Sequence, residues 1–201
     1  MDKIGILGGT FNPIHMGHLM MAEWVKCSLG LQEVWFIPSG VSYMKKKDNV
    51  LKAEDRFYMT KLAINDNEHF KCLDMELKRP GNTYTYETLE ELKKNFPDHE
   101  FYFLTGADCL FRIETWKEPA KIFSSCVMVV ANRENYSKYE LLQKKYELET
   151  RFDAKIVLVD FPEMEISSTM IRRLVSENKS IRYLAPDNVI KYIYEKGFYR
   201  G

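Results

Sequence analysis

Short apolar runs recur along the chain, and most are followed by a turn signal and then by apolar positions at helical spacing. Lys3 to Leu7 runs into Gly8-Gly9, and from about Gly17 to Leu29 the positions of Leu19, Met20, Trp24 and Val25 predict a helix. Val34-Trp35-Phe36-Ile37 is closed by Pro38-Ser39-Gly40, and Glu54 to Ile64 carries Phe57, Met59, Leu62 and Ala63 in a second helical pattern. Phe70 to Leu73 predicts a strand, Thr85 to Phe96 a helix with Leu89 and Leu92 inward, and Phe101 to Leu104 a strand ending at Thr105-Gly106. Cys126 to Val130 and Lys155 to Val159 are two more β-branched runs, separated by a charged helical stretch from about Lys138 to Glu149. Ser167 or Ser168 suits the cap of a helix running to about Ser176, and Pro186 the first turn of a last helix ending near Lys196-Gly197.

Strands apolar on both faces suit a parallel sheet between two helical layers, because each βαβ crossover lays a helix over one face. The expected fold is α/β, a single doubly wound Rossmann-like domain over residues 1–201 with a mostly parallel central sheet. Ligands of such sheets bind beyond the carboxyl ends of the strands. That rule points to Gly8-Gly9-Thr10, the loop after Ile37, and Thr105-Gly106-Ala107-Asp108, three loops that should converge.

Composition narrows the function classes. The 201 residues fit one domain better than two large ones, and 45% hydrophobic residues supply a sizeable core. Lys plus Arg is 29 and Asp plus Glu is 29, so no basic excess exists to drive nucleic-acid binding, and an anionic substrate needs a local site. Cys27, Cys72, Cys109 and Cys126 form no CxxC pair and sit among apolar neighbours, a pattern expected of small core residues in a reducing compartment. The first residues lack the apolar core of a signal peptide, and no run reaches the roughly 18 apolar residues of a membrane span. The expected location is the cytoplasm, without a membrane partner.

Two segments carry candidate chemistry. Gly8-Gly9-Thr10-Phe11-Asn12-Pro13-Ile14-His15-Met16-Gly17-His18 follows the first strand and leads into the first helix. Glycines let backbone N–H groups approach phosphate, the helix start adds oriented donors, and two histidines three residues apart can face the same way. The spacing is neither GxGxxG nor GxxxxGK[ST]. Taken alone, the segment is equally a glycine turn with two histidines capping a helix. Ile166-Ser167-Ser168-Thr169-Met170-Ile171-Arg172-Arg173 is a second anion signature, with hydroxyls at a helix start and an arginine fork one turn on. Alone it also reads as an ordinary Ser/Thr cap. No cluster of further ligands joins the histidines, so no metal site is expected.

Together these segments resemble those of the bacterial nicotinate-nucleotide adenylyltransferases, of the nucleotidyltransferase superfamily with the His-x-Gly-His signature. The likeness runs nearly end to end: Tyr84-Thr85, Gly106-Ala107-Asp108, Trp116 and Asn132-Arg133 also fall where that family keeps comparable residues. The related pantetheine-phosphate adenylyltransferases usually carry Thr for the first His and lack the Tyr-Thr and Trp features. One departure stands out: Ser42-Tyr43-Met44-Lys45 replaces the family's Pro-Pro-His followed by Lys or Arg.

The resemblance implies adenylyl transfer from ATP to nicotinate mononucleotide, giving deamido-NAD and pyrophosphate, with Mg²⁺ arriving bound to ATP. It implies His15, His18 and Arg172 as catalytic groups. It implies an ATP site of Gly8, Gly9, Thr10, Phe11, Lys45, Gly106, Asp108, Ile166, Ser167, Ser168 and Thr169. It implies a mononucleotide site of Thr85, Trp116, Lys117 and Arg133. A homodimer is one option that the sequence leaves open. A noncatalytic nucleotide-sensing module is the competing class, distinguished by adenine nucleotide binding without pyrophosphate release.

Overall fold

The central strands are buried at successive positions, and their side chains point alternately to opposite sides, so the sheet has two apolar faces. The structure, a computed structural model, describes residues 1–42, 50–132, 136–162 and 164–200. Its elements begin with β1 (Asp2–Gly9), α1 (Met16–Leu29), β2 (Glu33–Pro38), the two-residue β3 (Val41–Ser42), α2 (Ala53–Ile64), β4 (Phe70–Cys72), the two-residue β5 (Asn82–Thr83) and α3 (Thr85–Asn95). They continue with β6 (His99–Gly106), α4 (Ala107–Arg112), a 3-10 turn (Ile113–Thr115), α5 (Pro119–Ser125), β7 (Val127–Asn132), α6 (Lys138–Phe152), β8 (Lys155–Asp160), α7 (Ser168–Ser176) and α8 (Asp187–Lys196).

The main sheet is six-stranded in the order β4-β2-β1-β6-β7-β8, each pairing parallel, while β3 and β5 form a separate short ladder. The chain winds outward from β1 to β2 and β4, then returns to lay β6, β7 and β8 on the other side. The switch point of this doubly wound α/β domain is therefore the β1/β6 boundary, where such folds open a crevice. Gly8 and Gly9 end β1 level with Ile37 and Pro38 of β2, so the first two expected loops start side by side.

On one face Leu7, Val34, Phe36, Leu104 and Val129 pack with Met21, Met59, Ile171 and Val189 from α1, α2, α7 and α8. On the other, Ile6, Trp35, Ile37, Phe103 and Met128 pack with Leu89, Leu110, Ile122 and Leu148 from α3, α4, α5 and α6. This period-two division is what a pleated strand imposes. Gly5 suits the crowded middle of β1, where a Cβ would lie 3.1 Å from the Leu31 and Val34 side chains and push them aside by a few tenths of an ångström.

Three details differ from the sequence expectations. The segment between β6 and β7 folds as α4, the 3-10 turn and α5, pieces of six, three and seven residues, which sequence periodicity did not identify. The charged helix runs on to Phe152, started by a reciprocal Ser137–Glu140 capping box. The four cysteines are free, but Cys27 is exposed rather than in the core, on the outer face of α1 with its thiol against the Glu23 carboxylate at 3.4 Å. Burial pushes the Cys72 and Cys126 thiols up to about 12, which keeps them protonated and inert. Among the described residues no helix is long and apolar enough to cross a membrane.

Candidate active site

The first loop leaves β1 through a tight reversal. A Cβ on Gly9 would stand 2.9 Å from the Phe11 ring, and Phe11 itself takes a left-handed φ of 46°. That turn buries Phe11 with its ring edge on His18, centroids 5.0 Å apart. His15 then caps α1 in an extended conformation, and the His15 and His18 rings stack with centroids 3.7 Å apart. The glycine between them leaves room for this stack, since a Cβ on Gly17 would stand 3.1 Å from the His15 Nδ1 and crowd the ring. His18 Nδ1 accepts the His15 backbone N–H at 3.3 Å. The neutral His18 ring therefore carries its proton on Nε2, as a donor.

The second segment closes on the first. Ser167 caps α7 by accepting the Met170 N–H at 3.1 Å, leaving Ser168 as the first helical residue. Ser168 Oγ donates to the Pro13 carbonyl at 2.8 Å, and Arg172 Nη1 donates to the Asn12 carbonyl at 2.8 Å. The second arginine nitrogen, Nη2, donates to Thr169 Oγ1 at 3.3 Å. Two stretches at opposite ends of the sequence thus meet at one loop.

Sequence reasoning missed the residue that ties this loop to its neighbours. Arg56 on α2 is 1% exposed, and its guanidinium donates to the carbonyls of Thr10 at 2.6 Å, Leu51 at 3.0 Å, Ser39 at 2.6 Å and Gly40 at 3.1 Å. Burial lowers its pKa, and the four carbonyl dipoles around the cation offset the cost of desolvating it. The only sequence signal was a charged residue at an inward position of α2, between Lys52 and Met59. Gly40 is forced by the same packing, since its Cβ would fall 2.5 Å from the Glu76 carbonyl.

Beside this loop a cavity of about 310 Å³ opens at the carboxyl end of the sheet. It is lined by Gly8, Gly9, Thr10, Ile37 and Ser39 from the ends of β1 and β2, and by Thr85, Thr88, Leu89, Cys109 and Trp116 from α3, α4 and the residue after the 3-10 turn. The first two expected loops converge here, and the third contributes through Cys109 on α4 rather than through Gly106 or Asp108. Thr85 opens α3, so the first-turn N–H groups of that helix lack intrahelical acceptors. Trp116 is half-buried and packs edge-on to Phe103, centroids 6.2 Å apart. Lys117 is exposed, with Nζ 4.2 Å above the Tyr84 ring. Asp108 is also exposed, and its carboxylate accepts the Tyr136 hydroxyl at 2.9 Å, holding that phenol's pKa up. Lys45 and Arg133 lie outside the described residues.

The cytidylyltransferase-like family model matches residues 6–174. A Lachnoclostridium phytofermentans protein named "Probable nicotinate-nucleotide adenylyltransferase" is 47% identical over 99% of this chain and 100% of its own length. A Clostridium beijerinckii protein of the same name is 41% identical over the whole of both. The chain belongs to the nicotinate-nucleotide adenylyltransferase family. It is accordingly a nucleotidyltransferase, an enzyme that transfers an adenylyl group. A solved Plasmodium falciparum nicotinic acid mononucleotide adenylyltransferase, complexed with NaAD, shares the fold at 23% identity, with a TM-score of 0.82 over 99% of this chain and 98% of that one.

Within this adenylyltransferase fold the expected residues separate into two groups. Thr10, Phe11, His15, His18, Ser168, Thr169 and Arg172 gather on the Asn12-Pro13 loop. Thr85 and Trp116 line the cavity together with Gly8 and Gly9. Ile166 packs against the α1 side of the core.

Proposed function

We propose that the chain joins ATP to nicotinate mononucleotide, forming nicotinate adenine dinucleotide and pyrophosphate. The observation that carries this reading is the closure of the Ser168–Arg172 segment onto the Asn12-Pro13 loop, next to a cavity that ends at a helix start and an indole. A triphosphate needs donors from two directions, and a flat anionic ring needs an aromatic face with N–H groups at its edge.

The mononucleotide's 5′-phosphate oxygen attacks the α-phosphorus of ATP. The new P–O bond forms as the bond to the bridging oxygen breaks, and pyrophosphate departs with that electron pair. The nucleophile is already ionised, so no general base is required; alignment and charge stabilisation do the work. His15 and His18 are assigned to the phosphates, His18 through its Nε2 proton, with Thr10 and the N–H groups of Gly8, Gly9 and Phe11. Arg172, with Ser167, Ser168 and Thr169, is assigned to the β- and γ-phosphates. Gly106 and Asp108 are assigned to the adenosine ribose, and Ile166 to the adenosine side. Trp116 stacks on the pyridine ring, and the N–H groups of Thr85 and Lys117 read its carboxylate. Lys45 and Arg133 are assigned on the resemblance alone.

Among the described residues no group of three His, Cys, Asp or Glu is placed to hold a metal, so Mg²⁺ is assigned to the substrate as MgATP. Pyrophosphate release tests the reading: with MgATP it is expected to depend on added nicotinate mononucleotide. ATP binding without release under any mononucleotide would overturn it in favour of a nucleotide-binding module.

A further inference from the structure

We propose that Tyr199, which follows α8, is a positioning residue for Arg172, acting through the side chain of Asn12. The proposal rests on the assignment of Arg172 to the ATP phosphates. Asn12 is a hub. Its carbonyl accepts Arg172 Nη1 at 2.8 Å, and its side-chain Oδ1 accepts both the Leu51 N–H at 3.2 Å and the Tyr199 hydroxyl at 2.8 Å. At 3% exposure, Asn12 has no solvent to replace a lost donor. Two donors from two directions fix the side-chain amide, and through Cβ and Cα they restrain the residue whose backbone carbonyl receives the guanidinium.

The far end of this linkage is itself held. Asn188 on α8 donates to the Leu62 carbonyl at 2.6 Å, and the Tyr192 hydroxyl donates to Asp55 at 2.9 Å, docking α8 along α2. Phe198 packs edge-on to Tyr192, centroids 5.8 Å apart. Tyr199 then takes a left-handed φ of 62°, a conformation that bulky residues avoid and that turns its phenol toward the first loop. Burial raises the phenol's pKa, against the lowering fields of Arg172 and Arg56, so the hydroxyl remains a donor at working pH. The Tyr199 hydroxyl thus ties the segment after α8 to the first loop, 187 positions from Asn12.

Removing that oxygen with Tyr199→Phe keeps the ring and its packing. The expected result is a fall of about threefold to tenfold in kcat/KM for ATP, the scale of one hydrogen bond, with the KM for nicotinate mononucleotide unchanged. Tyr194→Phe, at an exposed position on α8, is the control and should retain wild-type kinetics. A double-mutant cycle separates positioning from general packing, because residues that act through one another are non-additive. In an Arg172→Lys background the Tyr199→Phe loss should shrink to less than about twofold. The same loss in both backgrounds, or wild-type ATP kinetics for Tyr199→Phe, would overturn the proposal while leaving adenylyl transfer intact. Wild-type ATP kinetics for Arg172→Lys would instead remove Arg172 from the phosphate site and overturn the proposal with it.

Discussion

The two sides of the site are held by different physics. Around Asn12-Pro13 the cations Arg56 and Arg172, with the Ser168 hydroxyl, donate to backbone carbonyls at or below the protein surface. Around Trp116 the supports are ion pairs: Glu114, in the 3-10 turn before the indole, receives Lys144 and Arg151 from α6, and Arg79 binds Glu91 at 2.5 Å on α3. A carbonyl does not titrate, whereas the carboxylates of these part-buried pairs do, so that side answers to pH and, where Arg151 is exposed, to salt. Chemistry that must align a phosphate to a fraction of an ångström is assigned to the side with fixed acceptors. Recognition of a ring is assigned to the side with adjustable ones.

The largest expected effect comes from the histidine pair. His18→Ala should lower kcat by about two to three orders of magnitude, the scale for losing one oriented transition-state donor. Thermal unfolding should show the fold intact. Near-normal turnover in a folded variant would return His18 to a mere helix cap.

Arg56→Met comes next and tests the buried clamp. It leaves the carbonyls of Thr10, Leu51, Ser39 and Gly40 without their donor, and about 3 kcal/mol of stability should be lost in denaturant unfolding. A loss within about 0.5 kcal/mol would show that water or neighbouring groups replace the guanidinium.

The smallest effect belongs to the charge-held side. Lys144, as hydrogen-bond partner of Glu114, holds that carboxyl below its ordinary range against a desolvation that raises it, with the fields of Lys144 and Arg151 adding to the lowering. A depressed folded pKa contributes stability that is present above the ordinary carboxylate range and lost as pH falls through the folded value. Wild type should therefore exceed Glu114→Gln in Tm by about 1–3 °C at neutral pH, and the gap should close on acidification. A gap independent of pH would mean that Glu114 contributes by packing alone.

Much of the main architecture was visible in the residues. Six apolar runs gave the six strands of the sheet, and Ser167 and Gly197 marked helix boundaries that the structure keeps. The pieces between β6 and β7 escaped because none is long enough to display a helical period, and α5 starts after Glu118 in a left-handed conformation that nothing in the sequence announces. Cys27 was misplaced because it shares its face of α1 with the exposed Trp24, three residues before it, while the buried Val25 points to the other side. At the site, the glycines, histidines and Ser-Thr-Arg segment were legible because their spacing is local. Arg56 and Tyr199 were not, since their acceptors lie 5 to 46 and 187 positions away and only the tertiary fold brings them near.

The central claim is that the Thr85 end of the cavity reads a carboxylate on the pyridine ring, and paired specificity constants test it most directly. With the same MgATP, nicotinate mononucleotide should exceed its nicotinamide counterpart by roughly tenfold to a hundredfold, because two N–H donors match a carboxylate and leave an amide NH₂ unpaired. Thr85→Pro sharpens the measurement: proline is tolerated at the first position of α3 but removes one donor, so the preference should fall about tenfold, whereas Thr85→Ala should keep it. Equal constants for the two mononucleotides in the wild-type protein would contradict the account.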